Sequence, residues 1–279
     1  MDFEGAASKN SKSPIDEWKT DFAFECLGVQ IRVCADQELP DEILTELLPP
    51  YSKKIVSKNV EQIFSIKIDR DESVLLENNR EKMRFPGDNW ILEALRGQLK
   101  TFISQNNSQY VFIHAGAVAW HERLVLIPGF GFSGKTTLTA ELVKVGAVYY
   151  SDDFAIVDRD GLVYPYPKPL SMRQRNSFDN VQIDFAVGHF GGVQGIRPLP
   201  VEFVVITEYQ RRAVWRPQIL TPGESVLEML KHTNNSLKEP ELAVRVLQKI
   251  ALQAKIIKTK RGDAQKAARV ILREVLRKK

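Results

Sequence analysis

Residues 129–136 read GFGFSGKT, a complete match to the G-x-x-x-x-G-K-[ST] pattern of a phosphate-binding loop. The match follows the apolar strand-like run RLVLIP and precedes the helix-like run TTLTAELVKV, which is the context that such a loop requires. Glycines let backbone N–H groups turn toward a polyphosphate, and the next helix adds the positive end of its dipole. The motif therefore predicts an α/β fold that binds a nucleoside triphosphate, most simply ATP.

Each part of this loop has an expected role. Lys135 is expected to reach the β and γ phosphates, and the hydroxyl of Thr136 to ligate Mg²⁺. The loop and the start of the helix provide the other predicted nucleotide contacts, at Gly129, Phe130, Gly131, Phe132, Ser133, Gly134 and Thr137. ATP and Mg²⁺ are thus the predicted cofactors.

Two adjacent carboxylates, Asp152 and Asp153, interrupt the apolar strand expected over residues 147–158. Charged groups in such a strand are costly unless they have a function. One carboxylate would coordinate Mg²⁺ and the other would accept a proton from an incoming hydroxyl group. The sequence leaves open which Asp has which role, and an Asp pair that only forms a turn or caps a helix is the alternative.

His114 lies in the apolar run VFIHAGAVAW, which is separated from RLVLIP by two residues. Two strands so close in sequence should pair antiparallel. This pairing would place His114 beside the strand that leads into the phosphate loop, where it could orient an Asp or bind a phosphate. A histidine buried in the core is the alternative.

Three further cations are candidate substrate residues. Lys168 and Arg173 lie in YPYPKPLSMR, a segment stiffened by three prolines, and a plain surface loop is the alternative. Arg197 follows the glycine-rich run GHFGGVQG at residues 188–195, which is either a lid over the substrate or a simple connector.

The chain divides into three predicted parts. Residues 1–15 are polar and aperiodic and are expected to form a disordered tail. Residues 16–108 are expected to form a small α+β lobe with a hairpin around Gly28 and a linking helix at 88–104. Residues 109–279 are assigned to the phosphate-loop domain.

Two helix ends are predicted in more detail. The linking helix would bury Ile91, Leu95, Leu99 and Phe102 on one stripe, with Asp88 or Asn89 as its N-cap. The chain would close with helices at 239–257 and 263–277, the second capped by Asp263.

Composition bounds the class of protein. With 43% hydrophobic and 27% charged residues and no apolar run long enough for a membrane helix, we expect a soluble, cytoplasmic chain without a signal peptide. Cys26 and Cys34 form no CxxC pattern and are expected to be reduced and buried. Residues 241–279 carry 12 Lys and Arg against 3 acids, a pattern typical of solvated helix faces, and no nucleic-acid-binding module is recognisable.

Taken together, His114, the loop at 129–136 and the triplet at 151–153 resemble the catalytic core of the HPr kinase/phosphorylase family. The resemblance is closer to the related kinases of bacterial peptide-modification clusters, including lasso-peptide kinases. It extends to Asn89-Trp90 and to the Pro-x-Pro-basic-Pro segment at 165–169. It implies a phosphate-loop kinase core of the phosphoenolpyruvate-carboxykinase type with a mixed sheet, which would follow the small N-terminal α+β lobe expected from the sequence.

The resemblance also implies a reaction, the phosphorylation of a serine hydroxyl on a peptide or small protein. A lasso-type precursor with a C-terminal Ser is favoured as acceptor, and an HPr-like protein comes next. Thr136 stands where HPr kinases usually have Ser, a change that keeps the hydroxyl. No Glu-Ile-Arg-Gly-type segment follows the Asp pair, which argues against phosphorylase activity and against HPr itself as the acceptor. The rivals are a small-molecule or carboxykinase-like kinase and a non-catalytic, nucleotide-dependent peptide-binding protein. Homo-oligomerisation stays open.

Overall fold

The computed structural model describes residues 18–57, 59–131, 133–173 and 182–276. The tail expected at 1–15 and the loop residue Phe132 lie outside these ranges. The chain forms two compact units, Met1–Thr101 and Phe102–Lys279. None of the helices in the described ranges is both long and apolar enough to cross a bilayer.

The first unit is built on one mixed sheet. Its strand order is β3-β1-β2-β4-β5-β6, and the β1–β2 hairpin turns at Leu27 and Gly28, both with positive φ, as the sequence predicted around Gly28. A second hairpin, β5–β6, turns at Asn78 and Asn79 and was not predicted. The elements are β1 Thr20–Cys26, β2 Val29–Ala35, α1 Asp41–Leu47, β3 Ser52–Ile55, β4 Gln62–Lys67, β5 Glu72–Glu77 and β6 Arg80–Pro86.

The linking helix α2 runs over Ile91–Asn106. Ile91, Leu95 and Leu99 are buried as predicted, while Phe102 is only half-buried. The amide of Ala94 donates the first helical hydrogen bond to the carbonyl of Trp90. The predicted N-cap at Asp88 or Asn89 was therefore wrong, because the helix begins after Trp90.

The second unit is a three-layer α/β domain with a mixed sheet in order β11-β10-β7-β8-β14-β16-β15, and β9 also pairs with β7. Strands β8, β14 and β16 run parallel, whereas β7 is antiparallel to β8 as predicted. The elements are β7 Val111–Trp120, β8 Arg123–Pro128, α3 Lys135–Lys144, β9 Val148–Ser151, β10 Phe154–Val157, β11 Leu162–Tyr164, β12 Leu170–Arg173, β13 Gln182–Phe185, β14 Leu199–Tyr209, β15 Gln218–Ile219, α4 Pro222–Leu230, α5 Pro240–Gln253, β16 Lys255–Arg261 and α6 Ala264–Leu276.

Side chains of the central strands alternate between two buried clusters. Leu124 and Leu126 of β8 pack in the cluster that includes α4 and α5, and Val125 and Ile127 pack with α3 and α6. This period-2 alternation is what a sheet covered on both faces requires. The sheet is thus buried on both sides, and the candidate phosphate loop at 129–136 follows the carboxyl end of β8.

The C-terminal region corrects one prediction. The helix expected at 239–257 ends at Gln253, and Lys255–Arg261 is a parallel strand beside β14. Helical periodicity is local, but this segment gains its backbone partners from a strand distant in sequence, and that pairing overrides the local pattern. The cap of α6 was predicted correctly, since the Asp263 carboxylate accepts a hydrogen bond from the Lys266 amide at 2.9 Å.

Candidate active site

The phosphate loop joins the end of β8 to the start of α3. The Gly129 amide donates a hydrogen bond to the carbonyl of His114 at 3.1 Å, so β7 holds the beginning of the loop. A Cβ on Gly129 would lie 2.6 Å from Ser133 Oγ, and Gly134 adopts φ 80° as the residue before the helix. Gly134 therefore requires glycine for its backbone conformation, and a side chain at position 129 would displace Ser133.

The first turn of α3 carries the loop residues that the sequence singled out. Lys135 is only 9% exposed, and burial lowers the pKa of its ammonium group while Asp152 and Asp153 act in the opposite direction. Thr136 is half-buried and Thr137 is exposed. A buried cation at a helix N-terminus is suited to a strongly anionic ligand.

The two carboxylates lie in a break between β9 and β10, which pair with β7 one after the other. The Ser151 hydroxyl bridges the break, because it donates to the carbonyl of Phe154 at 2.6 Å and accepts from the amide of Asp153 at 3.4 Å. The predicted strand with a polar break over 147–158 is confirmed. The break frees both carboxylates from the alternation of a regular strand.

Asp152 faces the phosphate loop. The residue is 7% exposed, and burial raises the pKa of its carboxyl group to about 7, against the opposing effects of Lys135 and the Thr136 hydroxyl. Its Oδ1 atom is buried and has no hydrogen-bond partner among the described residues. A buried carboxylate oxygen without a partner is a costly arrangement that a bound cation would relieve.

Asp153 lies between two cationic or basic side chains. Lys168 Nζ is 3.3 Å from its Oδ2 atom, and His114 Nε2 is 3.8 Å from its Oδ1 atom. The Tyr149 hydroxyl donates to the carbonyl of Lys168 at 2.7 Å, which fixes the proline-rich segment against β9. Two residues singled out from separate parts of the sequence, His114 and Lys168, are thus brought to one carboxylate.

Arg197 is not brought to this site. Its guanidinium pairs with Glu122 in the β7–β8 turn, at the opposite end of that hairpin from the phosphate loop. Arg173 ends β12, where its backbone pairs with Gln182.

The glycine-rich run before Arg197 is anchored. Tyr149 donates its amide to the carbonyl of Val193 at 2.9 Å and accepts from the amide of Gly195 at 2.8 Å. A Cβ on Gly195 would lie 2.4 Å from a ring carbon of Tyr150, and one on Gly192 would lie 2.1 Å from Val143. Close packing explains these two glycines, so the connector interpretation replaces the lid.

Two residues of the site were missed from the sequence. The His232 carbonyl accepts a hydrogen bond from the His114 amide at 2.7 Å. The His232 ring packs against the Phe130 ring, with the two centroids 4.4 Å apart. Arg261, at the end of β16, donates from Nη2 to the carbonyl of Gly134 at 2.6 Å. Neither had a usable signal, because no local pattern links His232 to the loop, and Arg261 ends a strand that was not predicted.

The donors of the site fit Mg²⁺. In the described part of the chain no group of three or more His, Cys, Asp or Glu side chains could hold a metal ion. Mg²⁺ bound with a nucleotide usually takes only one or two protein carboxylates, and phosphates and water complete its shell. The unpartnered Asp152 oxygen and the neighbouring Thr136 hydroxyl satisfy this smaller requirement.

Comparison with known proteins gives matches among solved structures. No protein-family model matches the chain, and no curated protein matches it. Among solved structures, the Hpr(Ser) kinase/phosphatase from Coxiella burnetii is similar at 14% identity and a TM-score of 0.28, covering 59% of this chain and 93% of that chain. A likeness at this level adds nothing to the geometry of the site, and the assignment to the peptide-modification branch stays a prediction.

Proposed function

We propose that this chain is an ATP- and Mg²⁺-dependent kinase that transfers the γ-phosphoryl group to a serine hydroxyl of a peptide or small protein. One observation carries the proposal. Lys135 of the phosphate loop, the Asp152-Asp153 pair, His114 and Lys168 come from separate segments and meet at the carboxyl end of β8. This set is what phosphoryl transfer needs, since catalysis there is mostly positioning and charge stabilisation.

The two carboxylates have different roles in this proposal. Asp152 serves the phosphate side, where Lys135 would contact the transferring phosphate and where Asp152 and the Thr136 hydroxyl would hold Mg²⁺. Mg²⁺, when bound, neutralises charge on the phosphate oxygens. Asp152 is buried and its Oδ1 atom has no hydrogen-bond partner, and both observations support this role.

Asp153 serves the acceptor side. Its side chain is 26% exposed, so a hydroxyl from outside the protein can reach it, and it accepts the hydroxyl proton as the new O–P bond forms and ADP leaves. Lys168 at 3.3 Å holds the carboxylate in place and balances its charge, and His114 lies on its other oxygen. Lys168 is therefore a positioning residue, supported by the stiff segment that carries it.

The acceptor class follows from the sequence resemblance. A lasso-type precursor peptide with a C-terminal Ser is the favoured substrate, and an HPr-like protein is the next. The partial exposure of His114, Asp153 and Lys168 is compatible with such an acceptor.

Intact-mass analysis tests this function. The full chain is incubated with ATP and Mg²⁺ and with each of the two acceptors, and a precursor whose terminal Ser is replaced by Ala is the control. A gain of one or more phosphates on the Ser precursor alone supports the proposal. The variant Lys135→Ala should abolish the gain, and phosphorylation that persists in this variant would sink the phosphate-loop assignment.

A further inference from the structure

The proposed roles of Lys135, Asp152 and Asp153 concern the phosphates of ATP and assign no binding site to its nucleoside half. Asp152 and Asp153 lie on the β7 side of the loop, where the γ-phosphate belongs in the proposed function. On the other side of β8 lie β14 and β16, which run parallel to it. Ligands of such sheets bind beyond the carboxyl ends of the strands, so these two strand ends lie along the same edge as the loop.

The last residues of these strands are Tyr209 and Arg261, which are register partners. The Arg261 guanidinium carbon lies 5.8 Å from the centre of the Tyr209 ring, and the Tyr209 Cβ is 3.6 Å from where a Cβ on Gly134 would stand. Both residues therefore adjoin the last glycine of the phosphate loop.

Arg261 is an unusual residue for this position. It is 2% exposed, its Nε is buried without a hydrogen-bond partner, and within the described ranges no carboxylate lies at salt-bridge distance from it. Its Nη2 donates to the Gly134 carbonyl, which also accepts the Leu138 amide in the first turn of α3. A buried cation held there adds positive charge to the helix N-terminus and fixes the loop.

Tyr209, in contrast, is 53% exposed, so one part of a large aromatic ring is open to solvent at the loop. The chain beyond it is held in place, since the Gln210 amide donates to the Arg261 carbonyl at 2.9 Å. Arg211 and Arg212 follow, both exposed and neither paired with an acid in the described structure. An aromatic platform in a positively charged setting suits a nucleoside that carries phosphates.

We propose that the nucleoside half of ATP lies over the carboxyl ends of β14 and β16, with its base stacked on the Tyr209 ring and Arg261 acting as a positioning residue for Gly134. This inference rests on the proposed function for the identity of the nucleotide. It adds the direction in which the nucleotide lies and names Tyr209 as the residue that contacts its base.

Calorimetric titration with two ligands tests the inference. ATP carries the nucleoside, whereas inorganic tripolyphosphate offers only the phosphate chain, and both are titrated in Mg²⁺ into the full chain. Tyr209→Ala should weaken ATP binding about 10-fold, the effect of losing one base–aromatic stack, and should leave tripolyphosphate binding unchanged. The matched control is Tyr209→Phe, which keeps the ring and should bind ATP like the wild type.

The outcomes separate the two proposals. Unchanged ATP affinity in Tyr209→Ala overturns the stacking site, and so does an equal loss for both ligands, which would indicate a distorted loop. Wild-type protein that binds neither ligand refutes the proposed function itself. Lys135→Ala should weaken both ligands, because its contact is to the phosphates.

Discussion

Gly116, in the middle of β7, offers a sharp test of how the phosphate loop is positioned. A Cβ at this position would lie 2.4 Å from Thr139 Oγ1 and 3.7 Å from Thr139 Cβ, while the next nearest atom, Asp152 Oδ1, is at 3.8 Å. Thr139 belongs to α3, the helix that begins with Lys135. The substitution Gly116→Ala therefore forces either the Thr139 side chain or α3 itself to move, through a single contact.

The size of the effect follows from this contact. Overpacking a tight interior costs about 1–3 kcal/mol, and the reduced entropy of the unfolded chain returns up to about 1 kcal/mol. We expect Gly116→Ala to destabilise the second unit by roughly 1–2 kcal/mol, a fall in Tm of about 2–8 °C for a unit of this size. Adding Thr139→Ala removes the clashing hydroxyl. The Cβ atom that remains at residue 139 lies 3.7 Å from the new methyl group, which is an ordinary van der Waals contact.

Thermal unfolding of the wild type, the two single variants and the double variant measures how strongly positions 116 and 139 are coupled. Thr139→Ala alone should cost about 1 kcal/mol, because it removes a buried methyl group together with a hydroxyl that has no partner. In the double variant the methyl group added at position 116 can fill part of that space, so most of the Gly116→Ala loss should be recovered. ATP affinity should fall in Gly116→Ala and return in the double variant, since Lys135 moves with α3. The reasoning is refuted if Gly116→Ala is as stable as the wild type, or if Thr139→Ala gives no rescue.

Three other predictions concern separate parts of the molecule. Asp152→Asn should lower kcat by at least ~100-fold, as measured by steady-state ATP turnover, and an unchanged rate would make this Asp purely structural. Arg197→Ala should leave kcat and KM within about 2-fold of wild type, because its partner is Glu122 at the far end of the hairpin, and a larger loss would restore it as a substrate residue. Burial raises the pKa of the Cys26 and Cys34 thiols to about 11, so both should resist thiol labelling at pH 8 until the protein is unfolded. Rapid labelling of the folded protein at that pH would contradict the burial of both thiols.

Local patterns in the sequence predicted the parts of the site that depend on neighbouring residues. The loop at 129–136, the strand and helix on either side of it and the break at Asp152-Asp153 are all encoded by adjacent residues. The antiparallel pairing of β7 with β8 followed from the short turn between them, and it placed His114 beside the loop.

Contacts between distant segments were beyond such patterns. The predicted helix ran on to residue 257 and left 258–261 unassigned, whereas pairing with β14 makes Lys255–Arg261 one strand. Arg261 could not be recognised as a loop-contacting residue for the same reason. The glycines at 192 and 195 resembled a mobile lid, but their cause is the close approach of Val143 and Tyr150, which no local pattern reveals.

The central claim is that Asp153 receives the proton of an acceptor hydroxyl while Lys135 and Asp152 hold the nucleotide. Asp153→Asn separates these roles, because it keeps the shape of the side chain and removes the base. The measurement is the rate at which a Ser-terminal precursor gains one phosphate by intact mass, together with the Kd for ATP. We predict a rate at least ~100-fold lower with a Kd within about 2-fold of wild type. A variant that phosphorylates the precursor at the wild-type rate would contradict the assignment of the base.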